Sequence, residues 1–133
     1  MERKNVWILE DTKEYREDLE KIVVSYGFNP ISFVARNPFL KAYSELENKD
    51  NVYGIILDNR VPIYDEPGCL PDEDIGVDIA YELYYDDLMD NVRVALYTSD
   101  DKNSVIQKVC DMGVMYHNKK NGTSWVKDFL SKS

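Results

Sequence analysis

Cysteine and histidine are nearly absent from the 133 residues, with two of one and one of the other. Cys69 and Cys110 are too few and too irregularly placed for a disulfide framework or a zinc site. His117 has no partner near it in sequence, so Ser-His-Asp and Cys-His chemistry lack their base. Long apolar runs are missing too: nothing approaches the roughly 20 residues a membrane span needs. The start, MERKNVWILED, turns acidic before a signal-peptide core can form, which points to the cytoplasm. Positive charge is scarce, with 16 Lys+Arg against 25 Asp+Glu and a net charge of −9. A surface that acidic repels phosphate backbones and anionic lipid, so neither nucleic acid nor membrane is an expected partner.

What remains is the composition of one soluble domain spanning 1–133, with 44% hydrophobic and 31% charged residues. Five apolar runs rich in β-branched and aromatic residues read as strands: Val6 to Leu9, Ile31 to Val34, Val52 to Leu57, Val92 to Tyr97 and Val114 to Tyr116. Between them the period changes to that of a helix. Tyr15, Leu19, Ile22, Val23 and Tyr26 form one apolar face, closed by Gly27. Asn37-Pro38 predicts a cap and a first helical proline for a second helix, carrying Phe39, Leu40, Tyr43 and Leu46. Val77, Tyr81, Tyr84 and Leu88 predict a third, Val105, Ile106, Val109 and Cys110 a fourth, and Trp125, Val126, Phe129 and Leu130 a fifth. Strictly alternating β and α segments predict an α/β fold, a single (βα)5 unit with a doubly wound parallel five-stranded sheet. In such sheets ligands bind beyond the carboxyl ends of the strands.

Those ends carry chemistry. Strand one runs into Glu10-Asp11, strand three into Asp58, strand four into Thr98-Ser99, and strand five leads to Lys119-Lys120. Three carboxylates, a hydroxyl and an ammonium would converge on one crevice. Asp11 with Glu14 also reads as a capping box, the ordinary alternative for acids at a helix start. Crowded carboxylates shift toward protonation unless a cation intervenes, and hard oxygen ligands select Mg²⁺.

The order of these residues resembles the receiver domain of bacterial two-component response regulators. The resemblance spans the chain through Trp7-Ile8-Leu9-Glu10-Asp11, Ile55 to Pro62, Gly76-Val77-Asp78, Ala95 to Ser99 and Gly113 to Lys119. It implies a flavodoxin-like strand order 2-1-3-4-5. It further implies Asp58 as phosphoacceptor, Glu10 and Asp11 as the acidic pair, Thr98 as switch hydroxyl, Tyr116 as switch aromatic and Lys119 as site lysine. Mg²⁺ would be held by Glu10, Asp11, Asp58 and the backbone carbonyl of Arg60. The implied function is phosphoryl transfer from a sensor histidine kinase or phosphotransfer protein to Asp58, switching a face that binds a downstream protein. No turnover of an external substrate is expected, and with no effector domain following, output would pass through other proteins.

The chain departs from that pattern at three places. No proline follows the lysine. Counting from Gly113 without a gap selects Lys120, whereas the aromatic-x-x-Lys spacing from Tyr116 selects Lys119, which we take as the site lysine. An insertion at 63–74 holds five acids and no base. It reads as a solvated, dispensable loop, with a lid or docking element as the other reading. Arg60 and Asp100, each two residues beyond a site residue, are placed to pair across the crevice. Two other functions compete. One is a phosphorylation-independent pseudo-receiver acting as an interaction module. The other is a haloacid-dehalogenase-type phosphatase, which needs a second acid where Arg60 stands.

Overall fold

The computed structural model describes residues 4–46, 51–85 and 92–131. Within them run β1 (Asn5–Leu9), α1 (Lys13–Ser25), β2 (Asn29–Phe33), α2 (Arg36–Ser44), β3 (Val52–Leu57), α3 (Ile75–Tyr85), β4 (Arg93–Thr98), α4 (Asn103–Asp111), β5 (Met115–Asn118) and α5 (Trp125–Leu130). The strands form one parallel sheet in the order β2-β1-β3-β4-β5. This is the doubly wound flavodoxin-like arrangement.

Side chains alternate between the two faces of a strand, and the alternation divides the core. Trp7, Leu9, Ile55, Leu57, Val94 and Leu96 bury on the face covered by α2, α3 and α4. Val6, Ile8, Ile56, Ala95 and Tyr97 bury on the other, under Leu19 and Val23 of α1 and Trp125, Val126 and Phe129 of α5. Strands covered on both faces must be apolar at every position, which is why Ile55-Ile56-Leu57 is an unbroken run.

Several expectations need correction. Strands two, four and five are displaced by one or two residues from the apolar runs, because pairing to a neighbour decides where a strand stops. The expected capping box at Asp11 and Glu14 does not form: Thr12 precedes α1, and its N–H donates to Glu10 Oε2 at 3.1 Å. Asn37 is not the cap of α2, and Pro38 is its third residue. The freed N–H groups of Arg36 and Asn37 instead donate to the carbonyls of Pro62 and Ile63, both at 2.9 Å. On α3 the buried face is Ile75, Gly76, Val77, Ile79, Ala80 and Leu83, whereas Tyr81 and Tyr84 are exposed. Leu88 lies outside the described residues. Cys110 on α4 is exposed, with Val105 and Val109 forming the buried contact.

The insertion is only partly a solvated loop. Tyr64, Leu70 and the residues from Asp65 to Gly68 are exposed. Its ends are held: Ile63 packs against the core, Asp72 N–H donates to Val61 O at 2.9 Å, and Asn59 Nδ2 donates to Asp74 Oδ1 at 3.3 Å. Gly76, just beyond it, brings α3 against the site strand. A Cβ there would lie 2.4 Å from the Asp58 carbonyl oxygen.

Candidate functional site

β1 and β3 are neighbours at the middle of the sheet, with Leu9 paired to Leu57. The residues that follow both strands therefore emerge at one edge. One carboxylate oxygen from each of Glu10, Asp11 and Asp58 lies within 4.8 Å of the other two. Asp58 N–H donates to Leu9 O at 2.9 Å, which continues the ladder one residue further and fixes the Asp58 backbone. Thr98 ends β4 and pairs with Asn118 at the end of β5, so Lys119 is the first residue past the edge. Its Nζ stands 2.7 Å from Glu10 Oε1 and 2.8 Å from Asp58 Oδ2. Lys120 is exposed. Its N–H donates to Asn118 Oδ1 at 3.0 Å, closing the turn that directs Lys119 inward.

Three carboxyls face one ammonium, and burial together with the surplus charge raises the pKa of two of them, Glu10 and Asp11. Glu10 is 1% exposed. Burial, reinforced by the Asp58 charge and only partly opposed by Lys119, pushes its carboxyl up from 4.5 to about 8. Asp11 is raised by the same two causes, burial first and Asp58 second. For Lys119, burial favours the neutral amine, but Asp58 and Glu10 together outweigh it and hold the ammonium above its ordinary value. The surplus is relieved by a proton on Glu10 or by a cation. A close set of hard oxygen donors carrying surplus charge fits Mg²⁺.

Some residues around this centre escaped sequence reasoning. Tyr15, read there as core, covers Lys119, with Nζ 4.3 Å from the ring centroid. Asn59 is fully buried and acts as a clamp. Its Nδ2 donates to Asp100 Oδ2 at 3.0 Å, and its Oδ1 accepts the N–H of Val77 at 3.0 Å in the first turn of α3. Nothing in the local sequence of either residue marks these contacts, since their partners lie far along the chain.

Asp100 joins Thr98 to Tyr116. Its N–H donates to Thr98 Oγ1 at 3.2 Å, and its carbonyl accepts from Tyr116 Oη at 2.7 Å. The expected Arg60–Asp100 pair is present at 4.0 Å. Arg60 N–H donates to Asp58 Oδ1 at 3.4 Å. Asp11, Asp58, Thr98 and Lys119 open onto a cavity of about 750 Å³, rimmed by Arg60, Leu70, Glu73 and Lys102.

The fold is that of response-regulator receiver domains. No family model matches the chain, and no curated protein does. Among solved structures it is similar to a response regulator receiver protein from Pseudomonas putida, at a TM-score of 0.73 and 16% identity, covering 100% of this chain and 99% of that one. A CheY-like receiver domain protein from Methanospirillum hungatei gives a TM-score of 0.70 at 13% identity over 96% and 93% of the two chains. A DNA-binding response regulator of the LuxR family from Staphylococcus aureus gives 0.70 at 18% over 96% and 95%. At such identities the likeness establishes the fold. The expected absence of a nucleic-acid partner rests on net charge alone. Among the described residues no helix is long and apolar enough to cross a membrane.

Proposed function

We propose that the chain is a phosphoacceptor receiver that takes a phosphoryl group from a sensor histidine kinase or phosphotransfer protein onto Asp58. The observation that carries this reading is the convergence of Glu10, Asp11 and Asp58 with Lys119, whose ammonium contacts two of the three carboxylates. An Asp58 oxygen attacks phosphorus, an O–P bond forms, the P–N bond of a phosphohistidine breaks, and the imidazole leaves with the electron pair. Lys119 stands at 2.8 Å from the attacking carboxylate, placed to neutralise charge gathering on the transferring group. Glu10, Asp11, Asp58 and the Arg60 backbone carbonyl would hold Mg²⁺. When bound, the ion supplies positive charge for the phosphoryl oxygens.

The group ends on the protein's own side chain, so no external substrate is turned over. Thr98 donates its hydroxyl proton to a phosphoryl oxygen only once one is present, which supplies the differential contact a switch requires. The Asp100 backbone carries that change to Tyr116, on the face offered to a downstream protein. The setting is cytoplasmic two-component signalling.

Beryllofluoride with Mg²⁺, which imitates an aspartyl phosphate, tests the reading by amide NMR. Shifts centred on Asp58, Thr98 and Tyr116 are expected. A spectrum unchanged by beryllofluoride would favour the phosphorylation-independent interaction module.

A further inference from the structure

Four charges of alternating sign close a ring across the mouth of the cavity. Arg60 Nη2 is 3.2 Å from Glu73 Oε1, and Lys102 Nζ is 4.0 Å from Glu73 Oε2. On the opposite side Arg60 Nε is 4.0 Å and Lys102 Nζ 3.7 Å from Asp100 Oδ2. Asp100 is the fixed corner, buried and held by Asn59. Glu73 belongs to the insertion, whose end is tied to the same Asn59 through Asp74. The ring thus joins three separate segments, and every member lines the cavity that leads to Asp58.

We propose that Glu73 is a positioning residue that restricts access to Asp58, holding Arg60 and Lys102 across the entrance so that small anionic donors must first break the ring. The inference rests on Asp58 being the phosphoacceptor and gives the insertion a role in that reaction. The pairs at Glu73 are solvent-exposed and individually weak. A weak latch can yield to a docked protein surface, yet it slows a donor that brings no binding energy of its own.

Phosphoramidate with Mg²⁺ is the probe. An Asp58 oxygen bonds to phosphorus, the P–N bond breaks, and the nitrogen leaves as ammonia, so the labelling rate reads access without any kinase. Glu73→Gln should label about fivefold faster than the parent at low salt, the size expected for losing two exposed ion pairs. Glu66→Gln removes the same charge from the same loop at an exposed position outside the ring, and should stay within about twofold of the parent. Glu73→Asp keeps the charge and should fall between parent and Glu73→Gln. At about 1 M salt, where screening reaches about 3 Å, the Glu73→Gln advantage should vanish; a purely structural role would leave it unaltered. Equal acceleration by Glu66→Gln and Glu73→Gln, or none by Glu73→Gln, would overturn the latch while the acceptor reading stands. A parent and a Glu73→Gln variant that both take no label on Asp58 would overturn both.

Discussion

A carboxyl buried as Glu10 is, with Asp58 beside it, gives the folded chain a dependence on pH whose sign can be worked out. In the unfolded chain Glu10 loses its proton near 4.5, and in the folded chain at about 8. Between those values the native state holds a proton that the unfolded state has released, so stability falls as pH rises through the window and levels off above it. Metal-free melting temperature should therefore decline from about pH 4.5 to about pH 8. Glu10→Gln, neutral throughout, should flatten the decline, and saturating Mg²⁺ should oppose it at the upper end, where a cation replaces the proton. Identical slopes for parent and Glu10→Gln in thermal melts would show that the carboxyl is not the group responsible.

At this scale the acids, Thr98 and Lys119 were legible because a parallel sheet delivers its strand ends to one edge and each of them ends or follows a strand. Tyr15, Asn59 and Glu73 were not. Tyr15 fits an apolar helical face as well as it fits a lid on an ammonium, and Asn59 acts on partners some 15 to 41 positions away.

Among the elements, the helices show where periodicity misleads. On α3 the tyrosines counted as apolar in the pattern, whereas the contact surface is built around Gly76 and Ala80, small residues that a hydrophobic pattern undervalues. Close approach is the reason: with a Cβ 2.4 Å from the Asp58 carbonyl oxygen, Gly76→Ala must push α3 or the site strand aside. Chemical denaturation should show a loss of about 1–3 kcal/mol, the usual range for overpacking. An unchanged midpoint would mean that α3 is not seated against Asp58.

The insertion also divides into parts with opposite expectations. Replacing 64–71, exposed except at the half-buried Cys69, with a short Gly-containing linker should leave the melting temperature nearly unchanged, since loop closure costs little and these side chains bury little. Replacing 63–74 entire removes Ile63, whose carbonyl receives the N–H of Asn37, and the anchors at Asp72 and Asp74. About 3–5 kcal/mol should be lost, from three hydrogen bonds at about 1 kcal/mol each and the Ile63 contact. Equal stability of the two variants would contradict the anchoring. The anchors were invisible in sequence because composition alone, five acids without a base, describes a solvated loop.

Over the whole molecule the topology was the most legible feature. Five apolar runs alternating with helical segments leave few solutions other than a parallel sheet covered on both faces, and the observed order β2-β1-β3-β4-β5 brings β1 and β3 together at its middle. That adjacency turns three acids scattered over 49 positions of sequence into one cluster. The proposed function makes Asp58 within this cluster a nucleophile. An aspartyl phosphate is a mixed anhydride whose acyl carbon borohydride reduces, phosphate leaving and the side chain ending as homoserine, so mass spectrometry of the trapped protein locates the site directly. After reaction with phosphoramidate and Mg²⁺ the label should lie on Asp58, and Asp58→Asn should take none while melting as a folded protein. Label on Thr98, or full incorporation in Asp58→Asn, would contradict it.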